Sequence, residues 1–327
     1  MKEKFIFWIE DYLFFPNSFQ KIISFLLLPL TFIYMLIILL KRAIASKIDF
    51  EIPIISIGNI VVGGSGKTPV AIALAKKYDD ACVILRGYGR ESKGLFVVSH
   101  KGDIKVDVKT SGDEAMVLAL SLKKATVIVS ENRAKAIEKA KELKCKIIFL
   151  DDGFSKYNIK KFDILLRAKK EPTNDFCLPS GAYREPKSFY ALCDLELKEG
   201  RDFNRVVVIR NLNENNSIDE ETKDGKEAIL SEKTLLLTAI SKPKRLLEFV
   251  PQSVKLLAFA DHHNFTKQEI DNILQNYKDY AILTTLKDYV KLKEFDIKNI
   301  YLMDLDIKFS EDLDLSSLEN YISEFKK

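Results

Sequence analysis

Residues 52–78 read IPIISIGNIVVGGSGKTPVAIALAKKY, and the order of residue types along that stretch decides the fold. Ile54-Ile55-Ser56-Ile57 is a short, β-branched apolar run, the composition of a buried strand. Gly63-Gly64-Ser65-Gly66 follows, then Lys67-Thr68, then Val70, Ala71, Leu74 and Ala75 in a helical stripe that ends near Tyr78. Strand, glycine loop, Lys-Thr and helix together form a phosphate cradle. Glycines let successive backbone N–H groups turn inward onto a polyanion, and the helix N-terminus adds partial positive charge. In such a loop Lys67 reaches the β- and γ-phosphates and the Thr68 hydroxyl holds Mg²⁺. Pro69 is compatible with this placement, because N–H groups in a first helical turn have no intrahelical partner to lose. The usual spacing puts a glycine five residues before Gly66, where Val61 stands. A plain glycine turn ahead of a helix has a similar composition, but the flanking strand and helix favour the phosphate loop.

The rest of the composition bounds the chain. Its 327 residues suffice for two domains, each with a core. With 47% hydrophobic and 30% charged residues it reads as globular. A net charge of +4 is too small to argue for a nucleic-acid binder. No feature demands an obligate protein partner. Cys82, Cys145, Cys177 and Cys193 show no C-x-x-C spacing and the chain has three histidines, so a structural zinc site is not expected. Cys82 and Cys145 lie in apolar runs and read as core thiols of a reducing compartment.

Residues 22–40 (IISFLLLPLTFIYMLIILL) carry no charge. As a helix they would span about 28 Å, close to a bilayer's hydrocarbon thickness. Core helices rarely stay apolar on every face for this length. A cleaved signal peptide is suggested by Ala43-Ile44-Ala45, but the run is longer than the usual h-region and Lys41-Arg42 sits directly behind it. A retained membrane-associated helix is the expectation, with Pro29 allowing a kinked or shallowly inserted form. Lys41, Arg42 and Lys47 follow the run before any acid, which places the bulk of the chain on the cytoplasmic side.

Beyond the phosphate loop, strands are expected at 81–85, 106–108, 126–129, 146–150 and 162–166, with helices at 115–122 and 134–143. This alternation predicts an α/β fold, a P-loop parallel sheet with helices on both faces. Ligands of such sheets bind beyond the carboxyl ends of the strands. Gly64–Thr68, the Arg86-Gly87-Tyr88-Gly89-Arg90 turn, Gly112-Asp113-Glu114 and Asp151-Asp152-Gly153-Phe154 fall at those ends. Residues 168–190, with Pro172, Pro179, Gly181 and Pro186, read as an ordered active-site loop. The polar stretch 211–228 reads as a linker or surface ribbon, and a second αβ alternation with strands near 234, 254, 281 and 300 follows it. The expected organisation is a membrane-associated helical segment over 1–48, a kinase domain over 49–225 and a smaller α/β domain over 226–327.

Several groups could do chemistry. Asp151-Asp152 ends an apolar strand, where a phosphate loop's Mg²⁺ finds its acids, although Asp-Asp-Gly is also ordinary turn chemistry. Ser111 with Glu114 three residues on, ahead of an apolar helix, has the form of a capping box, and the same helix start would point its acid into the cleft. Asp261-His262-His263 ends a second-domain strand, and a histidine there facing an acid from the other domain would make a general-base pair on closure. Arg133, Arg184 and Arg245 are candidate phosphate clamps.

Taken in order, PIISIGNIVVGGSGKTP, RGYGR, SGDEA, ENRAKA, FLDDGF, LPSGAYREP, KPKRL, FADHHNF and TTLKDYVKL resemble the tetraacyldisaccharide 4′-kinase family, the lipid A 4′-kinases. The segments spread over nearly the whole chain, and Val61 in place of the usual glycine is itself part of the family's pattern. The resemblance implies transfer of the ATP γ-phosphoryl group to the 4′-hydroxyl of a tetraacyldisaccharide 1-phosphate, at the cytoplasmic face of the inner membrane. It implies two α/β/α domains joined by a β-ribbon, ATP and Mg²⁺ as cofactors, and a glycolipid and a membrane surface as partners. By motif, Asp113 would be the base that deprotonates the 4′-hydroxyl, with His262 as its supporting partner and His263 as the alternative. Lys67 would act on the transferring phosphate, and Gly63, Gly64, Ser65, Gly66, Thr68 and Arg133 would bind nucleotide. Thr68, Glu114, Asp151, Asp152 and Glu185 would serve the metal, and Asn59, Arg86, Tyr88 and Arg184 the substrate. The family's DDGF is usually followed by Gln-His, whereas Ser155-Lys156 stands here. The rival is a membrane-tethered P-loop GTPase or metallochaperone-type switch. Its guanine-reading N-K-x-D pattern is missing, since Thr285-Leu286-Lys287-Asp288 is spaced wrongly.

Overall fold

The apolar runs form strands and the stripes between them form helices. The computed structural model describes all residues except Met1, Gly64, Ser65, 213–229, Ser241, Lys242, His262, Asp296, Lys326 and Lys327, and not the side chains of Lys2, Glu3, Lys4 and Ile6. In chain order come α1 (Lys2–Phe14), α2 (Ser18–Leu26), α3 (Leu28–Ala43), β1 (Ile54–Gly58), α4 (Lys67–Ala75) and β2 (Ala81–Leu85). Next are β3 (Phe96–His100), β4 (Asp103–Ile104), α5 (Val108–Ser111), α6 (Asp113–Ser121), β5 (Thr126–Val129), α7 (Arg133–Glu142), β6 (Ile147–Asp151) and β7 (Phe162–Arg167). The chain continues through β8 (Leu195–Lys198), β9 (Phe203–Asn211), β10 (Thr234–Thr238), β11 (Lys255–Ala258), α8 (Lys267–Asn276) and β12 (Ala281–Thr285). It ends with α9 (Leu286–Leu292), β13 (Ile300–Phe309) and α10 (Ser316–Ser323).

Two compact units emerge, and neither is a single run of chain. One gathers Met1–Leu85, Arg133–Asn204 and Lys308–Lys327; the other gathers Arg86–Asn132 and Arg205–Ile307. The boundary expected near 225 and the polar ribbon lie outside the described residues.

In the first unit, β2, β6, β1, β7 and β8 lie side by side, all parallel. Every residue of β1, β2 and β6 is buried, as unbroken apolar runs of central parallel strands require. Ile57 stands opposite Asp151 of β6 and Ile164 of β7. The chain therefore leaves β1 and β6 side by side on one edge, which brings the glycine loop next to Asp151-Asp152. Helix α4 buries Val70, Ala71, Leu74 and Ala75 on this sheet. Tyr321 of α10 stacks against Phe162, with ring centres 5.4 Å apart.

The apolar N-terminal run is not one helix. It breaks at Leu27 into α2 and α3, bent 57° to each other, with Pro29 in the first turn of α3 directly after the bend. Among the described residues no single helix is long and apolar enough to cross a membrane, although this bent pair passes by length and composition. Tyr34, Met35 and Ile38 of α3 pack on Ile60, Phe154, Tyr183 and Phe189. Phe25, Leu26, Phe32, Ile33, Leu36 and Ile37 stay exposed. Hydrogen bonds fix α3 in place: the Thr31 hydroxyl donates to Ser180 Oγ (2.7 Å) and the Tyr34 hydroxyl to the Arg184 carbonyl (2.8 Å).

In the second unit β11, β10, β12 and β13 run parallel, with β9 beside β13. β3 pairs antiparallel with β4 and β5, so the sheet strands here are not all parallel. The short strand expected at 106–108 is absent: Val108 opens α5, capped by Asp107, whose carboxylate accepts from Thr110 N. The β3–β4 pair turns through Lys101 (φ 51°) and Gly102 (φ 85°), a two-residue hairpin turn with both residues left-handed. Val117 and Leu120 of α6 pack with Leu286 and Tyr289 of α9, which explains why residues 113–121 group with the second αβ alternation.

Candidate active site

The sequence of the first unit's loop dictates its geometry. Gly63 (φ 96°) and Gly66 (φ 78°) hold left-handed backbone, and Gly66 is the N-cap of α4. Gly64 and Ser65 lie outside the described residues. Lys67 and Thr68 open the helix, whose first-turn N–H groups have no intrahelical partner and suit an anion at its N-terminus. The Lys67 ammonium donates to Asn59 Oδ1 at 3.0 Å and lies 3.7 Å from Asp152 Oδ1. The Thr68 hydroxyl donates to Asp151 Oδ2 at 2.9 Å. The guanidinium of Arg184 bridges the Asn59 carbonyl (2.8 Å) and Asp152 (3.1 Å). Arg133, buried at the start of α7, donates to the Asp151 carbonyl at 3.2 Å. Asn59, Lys67, Thr68, Arg133, Asp151, Asp152 and Arg184 thus form one contact network.

Electrostatics favour the ionised form of Asp152. Burial works to raise the Asp152 carboxyl, but the Arg184 hydrogen bond and the charges of Lys67, Arg184 and Arg133 outweigh it and hold the group below the usual carboxylate range. Asp152 itself sits in left-handed backbone (φ 54°), an uncommon conformation for a side-chain-bearing residue. Gly153 follows because a Cβ there would meet Leu150 Cβ at 2.6 Å. Glu185 is buried, and burial lifts its carboxyl above the usual range against the pull of a Tyr157 hydrogen bond and of Arg184 and Arg42. Its Oε2 has no hydrogen-bond partner among the described residues.

The oxygen donors of Thr68, Asp151, Asp152 and Glu185 suit a hard cation. Among the described residues no group of three or more His, Cys, Asp or Glu is gathered as a metal cage. One or two carboxylates plus a hydroxyl, completed by phosphate oxygens and water, is the arrangement that Mg²⁺ accepts.

The remaining predicted residues belong to the second unit. The RGYGR turn has left-handed glycines at 87 and 89, and Arg86 and Tyr88 are exposed. Its Arg90 is structural: the guanidinium binds Glu131 Oε1 (2.6 Å) and the Gly94 carbonyl. Gly112 (φ 84°) lies against this turn, since a Cβ there would meet the Tyr88 carbonyl at 3.3 Å. The expected capping box does not form. Ser111 closes the preceding turn and donates to Gly112 O, and α6 has Gly112 as an N-cap without a side-chain bond. Glu114 is exposed. Asp113 instead pairs with Lys291, whose Nζ is 3.2 Å from Oδ2. His262 lies outside the described residues. His263 is occupied: Nε2 is 3.2 Å from Glu269 Oε2, and the ring stacks on Phe259. Arg245 is exposed in the 3₁₀ turn Pro243–Phe249.

Lys291 is the residue that sequence reading passed over. Its signal was a lysine between Val290 and Leu292, both fully buried, in the TTLKDYVKL segment.

A parallel sheet carrying a left-handed glycine loop, a Lys-Thr helix start and an acidic neighbouring strand end defines a P-loop phosphate-binding protein. The family model described as Tetraacyldisaccharide-1-P 4′-kinase matches residues 23–322, and the chain belongs to that family. It is 67% identical to the tetraacyldisaccharide 4′-kinase of Aliarcobacter butzleri over 326 residues, all of both chains. It is 42% identical to that of Campylobacter jejuni (98% of this chain, 97% of the relative) and 44% to that of Helicobacter pylori (89% and 87%). The crystal structure of LpxK from Aquifex aeolicus in complex with ATP superposes with a TM-score of 0.73 at 26% identity, covering 93% of this chain and 99% of that one.

Proposed function

We propose that the protein is an ATP-dependent kinase that transfers the γ-phosphoryl group to the 4′-hydroxyl of a tetraacyldisaccharide 1-phosphate at a membrane surface. Family membership and the ATP complex of the Aquifex aeolicus relative support the reaction. The observation that carries it in this chain is the Asn59–Lys67–Asp152 and Thr68–Asp151 contact set at the mouth of the glycine loop.

In this reading the loop's N–H groups and Lys67 hold the β- and γ-phosphates, with Arg133 and Arg184 adding charge on the nucleotide side. Thr68 and Asp151, with Asp152 and Glu185, would hold Mg²⁺, to which the family's motif also assigns Glu114, and the ion would supply charge neutralisation for the transferring group. Asn59 and Arg184 orient the reacting phosphate, and Arg86 and Tyr88 face the disaccharide. Asp113 accepts the hydroxyl proton, and His262 supports it. The engagement of His263 with Glu269 and Phe259 favours the preceding histidine for that role. Phosphoryl transfer asks mainly for positioning and charge neutralisation, and a general base adds about 10²–10⁴-fold.

The exposed apolar residues of α2 and α3 support work at the inner membrane's cytoplasmic face. Pulling even ten acyl CH₂ groups into water would cost about 8 kcal/mol, so a surface-bound enzyme avoids extracting its substrate. Purified protein given γ-labelled ATP and tetraacyldisaccharide 1-phosphate is expected to label the lipid. GTP hydrolysis without lipid labelling would overturn the proposal.

A further inference from the structure

The base candidate Asp113 does not stand alone in its unit. Asp113, Val117 and Leu120 share one face of α6 (i, i+4, i+7), and that face packs toward α9 through Leu286 and Tyr289. Helix α9 is pinned at its start. The Thr285 hydroxyl receives the Asp288 N–H, and Asp288 Oδ2 accepts from Thr238 Oγ1 (2.6 Å), Thr285 Oγ1 (2.8 Å) and Ala239 N (3.1 Å). Asp288 is wholly buried, so the end of β10 and the start of α9 hold one fixed relation. One turn on, Lys291 projects its ammonium between Asp113 Oδ2 (3.2 Å) and the His263 carbonyl (3.1 Å). The Lys291 side chain is 5% exposed and that of Asp113 13% exposed.

We infer that Lys291 is a positioning residue for the phosphoryl transfer: its ammonium fixes the Asp113 carboxylate and ties it to the backbone carbonyl of His263. The inference rests on the assignment of Asp113 as the base. A buried ammonium must be paired, so the bond to Asp113 is held strongly in the folded protein. Fixing Oδ2 sets the rotation of the carboxylate plane and hence the direction in which Oδ1 is presented. The grip on His263 O holds the backbone of His263 at the same ammonium. One lysine thereby sets the relative placement of the base and the His263 backbone.

Wild type, Lys291→Met, Lys291→Arg, Asp113→Asn and the Asp113→Asn/Lys291→Met double variant are compared with labelled ATP and tetraacyldisaccharide 1-phosphate, each with a melting curve. Lys291→Met is expected to lower kcat roughly 10- to 100-fold, the scale of a misplaced catalytic group, with both KM values within about threefold. Lys291→Arg is expected to recover part of that kcat. The double variant is expected to be no slower than Asp113→Asn, because residues acting through one another are not additive. Wild-type kcat in Lys291→Met beside a slow Asp113→Asn overturns the inference alone, as does a loss confined to KM. Wild-type kcat in Asp113→Asn overturns the base assignment, and this inference with it. If Lys291→Met does not fold, the double variant, in which neither charge is left unpaired, carries the test. A rate equal to Asp113→Asn supports the inference, and a further loss of about tenfold or more overturns it.

Discussion

Replacing Phe19, Leu26 and Phe32 together by serine should release the protein from bilayers without unfolding it. These side chains are 66%, 75% and 69% exposed, so the fold draws little from them. Full burial of a Leu or Phe side chain contributes about 1.5–3 kcal/mol. Only the exposed share is available to a membrane, which leaves about 1–2 kcal/mol for each residue. Three such losses come to about 3–6 kcal/mol, or roughly a 100- to 10,000-fold fall in partitioning at 1.4 kcal/mol per tenfold. Co-sedimentation with phospholipid vesicles, set beside the melting temperature, reads both quantities. Turnover on substrate dispersed in detergent should stay close to wild type, because these residues touch no group of the phosphate network. Unchanged vesicle binding would refute the assignment of α2 and α3 as the membrane-contacting surface.

Other perturbations test the interior. Asp288→Ala strands two buried donors, Thr238 Oγ1 and Ala239 N, at about 1–3 kcal/mol each before relaxation, and the part-buried Thr285 hydroxyl as well. A fall in melting temperature of about 8 °C or more is expected in thermal denaturation. Asp152→Asn should lower the melting temperature at pH 7. The folded carboxyl titrates below its unfolded value, so its stabilisation exists above the unfolded pKa and is lost as pH falls through the folded one. The gap between variant and wild type should therefore close as the buffer is taken below about pH 3.9, and a gap that widens there would contradict the shift. Thr68→Val keeps the shape of the side chain but removes the hydroxyl bonded to Asp151. It should cost about 1 kcal/mol or less in stability, yet raise the Mg²⁺ concentration needed for half-maximal rate, which a magnesium titration of lipid labelling would read.

The first unit was legible because its signals are local. The β-branched run of β1, the glycines and Lys67-Thr68 specify strand, loop and helix within 27 residues, and the acids at the end of β6 announce themselves by following an apolar strand. The second unit was less so, since its order comes from contacts across long stretches of chain. Ser111 and Glu114 carry the letters of a capping box, but Ser111 is spent in the turn before Gly112. Val106 and Val108 look like strand, but Asp107 caps a helical turn there. Nothing in residues 86–132 says that they group with 205–307; the packing of Val117 and Leu120 on Leu286 and Tyr289 decides it. The pairing of Lys291 is not legible for the same reason, because its partner lies 178 positions earlier (291 minus 113). The apolar N-terminal run is helical, as its composition predicts, and its break at Leu27 lies two residues before Pro29, whose missing N–H and ring clash with the carbonyl four residues back do not let one helix run through.

The most direct test is the initial rate at which Asp113→Asn transfers labelled phosphate from ATP to tetraacyldisaccharide 1-phosphate. A fall of about 100-fold or more is predicted, the share a positioned base supplies. Transfer at the wild-type rate would contradict the account.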